Sequence, residues 1–182
     1  DAGRRAGDQR PYHQRDRGTI MAEQKKIDVV IPAYKPGEKF QKLIKMLQKQ
    51  TYPIHEILIM NTEKAYFPEA SVAGLPNVRV EHLTRAEFDH GGTRDKAAGL
   101  LSGDFFLFMT QDAVPADTYL VEKLAGAFDD EKVDAAYARQ LPNPNCSVIE
   151  RYTRSFNYPD APSVKTKKDL PKYGIKTFFC SN

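Results

Sequence analysis

Four stretches of this 182-residue chain carry side chains able to bind or transform a polar ligand. The first is Asp112 in Phe108-Met109-Thr110-Gln111-Asp112-Ala113-Val114-Pro115, an acid just after a strongly apolar run. A carboxylate there suits a hard divalent ion that also bridges phosphate oxygens, since such ions take one or two protein carboxylates and fill their shell with substrate and water. Asp112 could equally cap a helix beginning after Pro115. The second is Phe88-Asp89-His90-Gly91-Gly92-Thr93-Arg94-Asp95. Adjacent glycines before a helix leave backbone amides open to an anion, and Arg94 can fork onto a phosphate. An ordinary glycine-rich turn with Thr93 as N-cap is the plainer alternative. The third is His90 with His55 and His82; none stands at i, i+4 spacing and no Cys is near, so zinc is not indicated and a hydrogen-bonding role is expected for His90. The fourth, Tyr158-Pro159 with Arg151, Arg154, Lys165, Lys167 and Lys168, reads as solvated surface rather than a dock for an acidic partner.

The elements that must position these groups alternate between strand and helix. Ile27 to Ile31 is a β-branched run closed by Pro32, and Phe40, Leu43, Ile44 and Leu47 then recur at helical spacing. Glu56 to Met60 reads as a second strand, apolar enough to be covered on both faces. Val78 to Leu83 gives a third, and Thr93 to Leu101 a helix ended by Gly103. Asp104 to Met109 reads as a buried fourth strand, and Leu120, Val121, Leu124, Ala127 and Phe128 line one face of another helix. A fifth strand is expected over Asp134 to Arg139, and a helix around Ser147 to Phe156. Such alternation predicts an α/β fold with right-handed crossovers and a mostly parallel, doubly wound sheet. Ligands of these sheets gather at the carboxyl ends of the strands, which here are the polar stretches Pro32-Ala33-Tyr34, Asn61-Thr62-Glu63, Thr84 to Arg94 and Thr110-Gln111-Asp112.

Composition excludes other classes. At 41% hydrophobic and 28% charged the chain is of globular type and of one domain's length. The formal charge of +3 is concentrated in residues 1–20, where five Arg against three Asp give +2, leaving +1 for the rest. That is too little for the phosphate contacts of a nucleic-acid surface, so no nucleic-acid partner is expected. Residues 1–20 lack apolar periodicity and stop at Met21, so they are expected to be a disordered tag or vector-derived segment, with the domain running over 21–182. No apolar run is long enough to span a membrane, and Cys146 and Cys180 read as reduced thiols of an intracellular protein.

The ordered motifs Val29-Val30-Ile31-Pro32-Ala33-Tyr34, Glu56-Ile57-Leu58-Ile59-Met60-Asn61, His90-Gly91-Gly92-Thr93-Arg94 and Thr110-Gln111-Asp112-Ala113-Val114-Pro115 resemble the signature of family 2 glycosyltransferases. The H-G-G-T-R and T-Q-D-A-V-P forms, with Tyr137 to Pro142 and Ser155 to Pro159, resemble its rhamnosyltransferase-like branch. The resemblance implies a GT-A fold, a Rossmann-like nucleotide-sugar half followed by an acceptor half. It implies that Pro32, Ala33 and Tyr34 lie against the nucleoside and that the end of the second strand holds base or ribose. The family usually has Asp there; this chain has Asn61-Thr62-Glu63, so the contact is neutral at Asn61 or is taken over by Glu63. It further implies that His90, Gly91, Gly92, Thr93, Arg94 and Gln111 face the donor. Asp112 matches the last acid of the family's D-x-D metal motif, with Thr110 at the first position, so Asp112 is the one expected ligand of Mg²⁺ or Mn²⁺.

The implied chemistry is displacement at the anomeric carbon of a dTDP- or UDP-linked sugar, rhamnose among the candidates, onto a saccharide or lipid-linked acceptor in cell-surface polysaccharide synthesis. The catalytic base of the family lies beyond the segment matching Gly174 to Asn182, so no catalytic residue is expected in this chain, only the donor half. A cytoplasmic location follows, with peripheral contact to the inner face of the membrane for the full-length protein. Two alternatives stand beside this reading. A non-catalytic nucleotide-binding domain accords with the absent acids at positions 61 and 110. A sugar-phosphate nucleotidylyltransferase also has a G-T-R turn, but there it follows the first strand, whereas Gly92-Thr93-Arg94 follows the third.

Overall fold

A computed structural model of the chain describes residues 24–177. The readings made for residues 1–20, Met21, Cys180 and the rest of the segment after Thr177 lie outside the described residues.

The fold is α/β. Strand β1 (Ile27–Tyr34) pairs in parallel with β2 (Glu56–Thr62), Asp28 standing opposite Glu56 and Tyr34 opposite Thr62. Strand β3 (Val78–Leu83) extends the sheet beyond β2, and β4 (Phe105–Phe108) lies along the other side of β1, both parallel, giving the order β3-β2-β1-β4. The chain steps outward from β1 to β3 and then returns across the sheet to β4. Its direction therefore reverses between β1 and β4, and a crevice opens at such a reversal, beyond the carboxyl ends of the strands.

Strand periodicity divides the core between two faces. Val29, Ile31, Ala33, Ile57 and Ile59 meet Phe40, Leu43, Ile44 and Leu47 of helix α1 (Glu38–Leu47). Burying each of those four α1 side chains is worth about 1.5–3 kcal/mol, which outweighs the small helix propensities involved. Val30, Leu58 and Met60 point the other way, toward Leu83 and Ala97 of helix α2 (Gly92–Gly99), with Leu101 packed at the edge. Helix α3 (Leu120–Gly126) buries Val121 and lays Leu120 against the α1 side. With helices on both faces the sheet is doubly wound, as expected. Among the described residues no helix is long and apolar enough to cross a membrane.

The amino end of the sheet holds a buried acid. Asp28 is fully buried; its Oδ1 lies 2.7 Å from His55 Nδ1 and its Oδ2 accepts from the Gly103 amide at 2.6 Å. This explains Gly103, which does not end α2: the helix stops at Gly99 with Leu100 as its cap. A Cβ on Gly103 would sit 2.7 Å from Asp28 Cγ and Oδ2 and 3.1 Å from the Lys26 carbonyl oxygen, so glycine is needed for close approach.

Two further expectations are corrected. Residues 134–139 form no strand, and Tyr137 is half exposed. An alanine-rich stretch has little of the branched or aromatic surface that a pleated sheet rewards. The fourth strand is an edge strand rather than a buried one, with Phe106 39% and Phe108 44% exposed. Its apolar run reflects the other pair, Leu107 packing on the α1-side core and Phe105 stacking on Phe128 at 4.3 Å. The helix around Ser147 is present as α4 (Val148–Asn157), with Ser147 Oγ accepting from the Glu150 amide, a side-chain N-cap. Behind it Tyr158 is buried and Arg139 pairs with Asp160, so that segment is not wholly solvated surface.

Candidate functional site

The carboxyl end of β1 and the segment after β4 are tied together by one side chain. Gln111 Oε1 accepts from the Tyr34 amide at 2.9 Å, and Gln111 Nε2 donates to the Tyr34 carbonyl at 3.0 Å. The side-chain amide thus continues the β1–β4 ladder past the last residue of β4 and spans the reversal point of the sheet. Asp112 follows directly, exposed, in a turn where the Ala113 amide donates to the Thr110 carbonyl. It caps no helix, since α3 begins eight residues later at Leu120. Gln111 is therefore a latch, with both polar atoms committed to backbone.

Around Tyr34 the structure assembles a cluster of rings and cations. The Tyr34 and Tyr66 rings meet edge to face at 6.3 Å; Lys35 Nζ lies 4.4 Å from the Tyr66 centroid and 5.2 Å from that of Tyr34. The Arg85 guanidinium, from the loop after β3, stands 5.7 Å over Tyr34. Sequence reading missed Lys35, Tyr66 and Arg85; their signal was a cation or ring within a few residues of a strand's carboxyl end. Lys35 and Glu63 are also the two described non-glycine residues with left-handed backbone, at φ 48° and φ 63°. They follow directly on the paired Tyr34 and Thr62, so the strained positions sit side by side on adjacent strands.

The two candidates at the end of β2 part company. Asn61 is fully buried, its Nδ2 lies 3.0 Å from His82 Nδ1 on β3, and its Oδ1 has no partner among the described residues. His82 in turn meets the Phe67 ring edge to face and stands 3.6 Å from Glu69. Glu63 is partly exposed, and its carboxylate has no hydrogen-bond or ion-pair partner among the described residues. Pro32 is half-buried and Ala33 buried within β1, so of that strand end Tyr34 and Lys35 offer the reachable side chains.

The glycine turn is already filled by an acid. Asp89 Oδ1 accepts from the Gly92 amide at 2.6 Å and from the Gly91 amide at 3.0 Å, while Thr93 Oγ1 accepts from the Asp89 amide. The amide of Gly92 above all, then that of Gly91, holds the Asp89 carboxyl below its ordinary range. Asp89, rather than Thr93, is thus the side chain that caps α2, and an Asx turn before Gly-Gly was the signal for it. Arg94 Nη1 donates to the His90 carbonyl at 2.5 Å, leaving other donors of its guanidinium fork. Among the described residues the His90 ring makes no hydrogen bond, and it meets the Phe88 ring edge to face at 5.1 Å. Among the described residues no three His, Cys, Asp or Glu side chains gather into a metal-binding group. Asp112 alone fits only the kind of ion site that substrate phosphates complete.

Comparison with known proteins bears on the family and the fold. The model of "Glycosyl transferase family 2" matches residues 28–182. The chain is 32% identical over 158 residues to the O-antigen chain rhamnosyltransferase RfbN of Salmonella typhimurium, covering 86% of this chain and 50% of that protein. It is 31% identical over 156 residues to the O-antigen chain rhamnosyltransferase WbaN of Salmonella anatum, covering 85% and 49%. The chain thus spans about half the length of these curated relatives. Among solved structures it resembles S. aureus TarS with a TM-score of 0.52 at 19% identity, covering 78% of this chain and 24% of that one. It also resembles the mannosyltransferase PcManGT from Pyrobaculum calidifontis, with a TM-score of 0.51 at 13% identity, covering 62% and 34%. These two likenesses concern the fold, which is GT-A. The chain belongs to glycosyl transferase family 2.

Proposed function

We propose that this chain binds the donor of a glycosyltransferase that moves a sugar, rhamnose in the first instance, from dTDP or UDP to a saccharide or lipid-linked saccharide during synthesis of a cell-surface polysaccharide. The observation that carries this reading is the latch between Gln111 and Tyr34. It supports a single crevice that has the ring and cation cluster on one side and Asp112 on the other. The nucleoside lies against Tyr34 and Tyr66, whose faces suit a flat base. Lys35, Arg85 and the remaining donors of Arg94 meet the diphosphate, for which a planar guanidinium fork is well matched. The Gly91-Gly92 nest reaches an anion only if the Asp89 carboxylate gives way, so its part in the free chain is to hold the turn.

Asp112 holds Mg²⁺ or Mn²⁺ jointly with the phosphates, and the ion, when bound, neutralises charge on the leaving diphosphate. With one carboxylate in the set, metal and nucleotide bind together rather than separately. Acceptor activation is assigned to no residue of this chain. Work of the whole protein at the inner face of a membrane is part of the same proposal.

Calorimetric titration with dTDP, UDP and GDP, with and without Mn²⁺, on the natural chain and on Asp112→Ala is the test. Metal-dependent binding of one nucleotide, abolished in Asp112→Ala, is the expected outcome. Binding that ignores both metal and the substitution favours a non-catalytic nucleotide-binding domain, a reading the single acid of Thr110-Gln111-Asp112 keeps in view.

A further inference from the structure

Helix α1 turns a basic face away from the sheet. Its apolar residues Phe40, Leu43, Ile44 and Leu47 are buried against β1 and β2, and by helical periodicity Lys42, Lys45 and Lys49 fall on the opposite side, with Lys39 at its shoulder. Lys49 stands one residue past the cap but keeps the turn, its amide donating to the Met46 carbonyl at 3.2 Å. All four lysines are exposed, and none enters an ion pair or a side-chain hydrogen bond among the described residues. Glu38, the one acid of the helix, forms no ion pair among them either, although it stands one turn before Lys42. Like charges three and four residues apart destabilise a helix, so neither packing nor propensity accounts for this row. The charge is also local. Residues 35–49 hold five Lys against one Glu, a net +4, whereas residues 50–147 hold eight Lys and Arg against fifteen Asp and Glu, a net −7.

We propose that the lysine face of α1 docks the protein on an anionic lipid surface. This surface deepens the membrane-face proposal above, on which it rests, by naming the element that makes the contact. A plane of anionic headgroups attracts lysines through its field and needs no fixed partner for each ammonium, which suits compact charges on flexible stems. A protein partner is less well matched. Protein interfaces are enriched in aromatic, Met and Arg side chains and depleted of Lys, and the outward side of α1 sets Gln41 and Gln48 among its lysines. The position suits docking too. The chain enters α1 from the carboxyl end of β1, where Lys35 lies over the Tyr34 and Tyr66 rings, so the first turn of the basic face borders the crevice. A molecule held side-on by α1 keeps the crevice mouth at headgroup level, within reach of a lipid-linked substrate.

The probes are vesicles of equal parts phosphatidylcholine and phosphatidylglycerol, vesicles of phosphatidylcholine alone, and poly-L-glutamate. Binding is measured at low and at raised salt on the natural chain, on the triple variant Lys42→Gln, Lys45→Gln, Lys49→Gln, and on a control of equal charge loss, Lys167→Gln, Lys168→Gln, Lys172→Gln. Each lysine near an anionic surface strengthens binding about fivefold, so the α1 variant is expected to bind anionic vesicles roughly a hundred-fold more weakly, with the control near the natural value. Natural binding is expected to fall as salt rises and to be absent on neutral vesicles. Gln is as good a helix former as Lys and relieves the crowding of like charge. The thermal midpoint of the α1 variant is therefore expected at or above the natural value, and its nucleotide titration unchanged, which separates lost docking from lost folding. Anionic-vesicle binding that the α1 variant keeps, or that the control loses equally, overturns this inference alone. So does binding to neutral vesicles as tight as to anionic ones, which assigns docking to an apolar face, or tighter binding to poly-L-glutamate at matched charge, which assigns the lysines to an acidic protein. Failure of the natural chain to bind anionic vesicles at low salt overturns the inference together with the membrane-face proposal, while a retained nucleotide titration leaves the donor site standing.

Discussion

Replacing Gly103 by Ala probes the buried acid that anchors the return of the chain to β4. The new methyl would stand 2.7 Å from two atoms of the Asp28 carboxyl group and 3.1 Å from the Lys26 carbonyl oxygen. Asp28 cannot simply swing away, because its two oxygens are held by His55 at 2.7 Å and by the Gly103 amide at 2.6 Å. Nor can Lys26, whose carbonyl accepts from the Asp104 and Phe105 amides where β4 begins. Overpacking of this kind costs about 1–3 kcal/mol. Against it stands the loss of glycine's freedom in the unfolded chain, worth about 0.4–1 kcal/mol in the opposite direction, since Gly103 has no left-handed backbone to protect. The net expectation is a destabilisation of about 1–2 kcal/mol. Gly99→Ala is the matched control, because a Cβ there meets nothing within 4 Å and the residue lies in α2. It should stabilise by about 0.5–1 kcal/mol. Urea unfolding monitored by tyrosine fluorescence and circular dichroism reads both. A double-mutant cycle with Asp28→Ala assigns the cause, for without the carboxyl group Gly103→Ala should lose most of its penalty. If Gly103→Ala is as stable as Gly99→Ala, or pays the same cost without Asp28, the close-approach argument is wrong.

Three other outcomes follow from the site and from the cap of α4. Gln111→Ala removes both bonds to the Tyr34 backbone, and it should lower stability by about 1–3 kcal/mol in urea unfolding and weaken nucleotide binding measured on the still-folded protein. Asp89→Asn tests the acid in the glycine turn. Its folded pKa is depressed by the Gly92 amide first, so its stabilisation is present above the ordinary carboxyl pKa and is lost as pH falls through the lower folded value. The natural chain should therefore lose stability more steeply than Asp89→Asn below about pH 4, and equal slopes would contradict the cap. Ser147→Ala removes the N-cap of α4 and should cost about 1 kcal/mol, read as faster amide exchange at Glu150 and its neighbours.

Local pattern carried much of this architecture, because a strand or helix with one buried face repeats that face in its residues. Phe40, Leu43, Ile44 and Leu47 mark the buried stripe of α1, and Ser147 marks the start of α4. Pattern was silent where a contact joins distant residues. Nothing near Asp28 announces a partner 75 residues away at Gly103, and nothing near Gln111 announces the backbone of Tyr34, 77 residues back. The supposed fifth strand over 134–139 failed for the converse reason, since alternation alone promises no neighbour to pair with. In the site, residue type showed where polar groups gather but not which were free. Asn61 and Glu63 look alike as candidates until burial divides them, and the Gly91-Gly92 amides look open until Asp89 is seen to fill them.

The central claim is that a nucleoside diphosphate lies across the carboxyl ends of β1 and β2 beside Asp112. Photolabelling with 4-thiouridine and 4-thiothymidine diphosphates in the presence of Mn²⁺, followed by peptide mapping, tests it most directly. The account predicts crosslinks confined to the segments 32–35 and 61–66, suppressed by excess unlabelled nucleotide and by Asp112→Ala. Protectable labelling at the amino end of the sheet or on α4, or no protectable labelling at all, would contradict it.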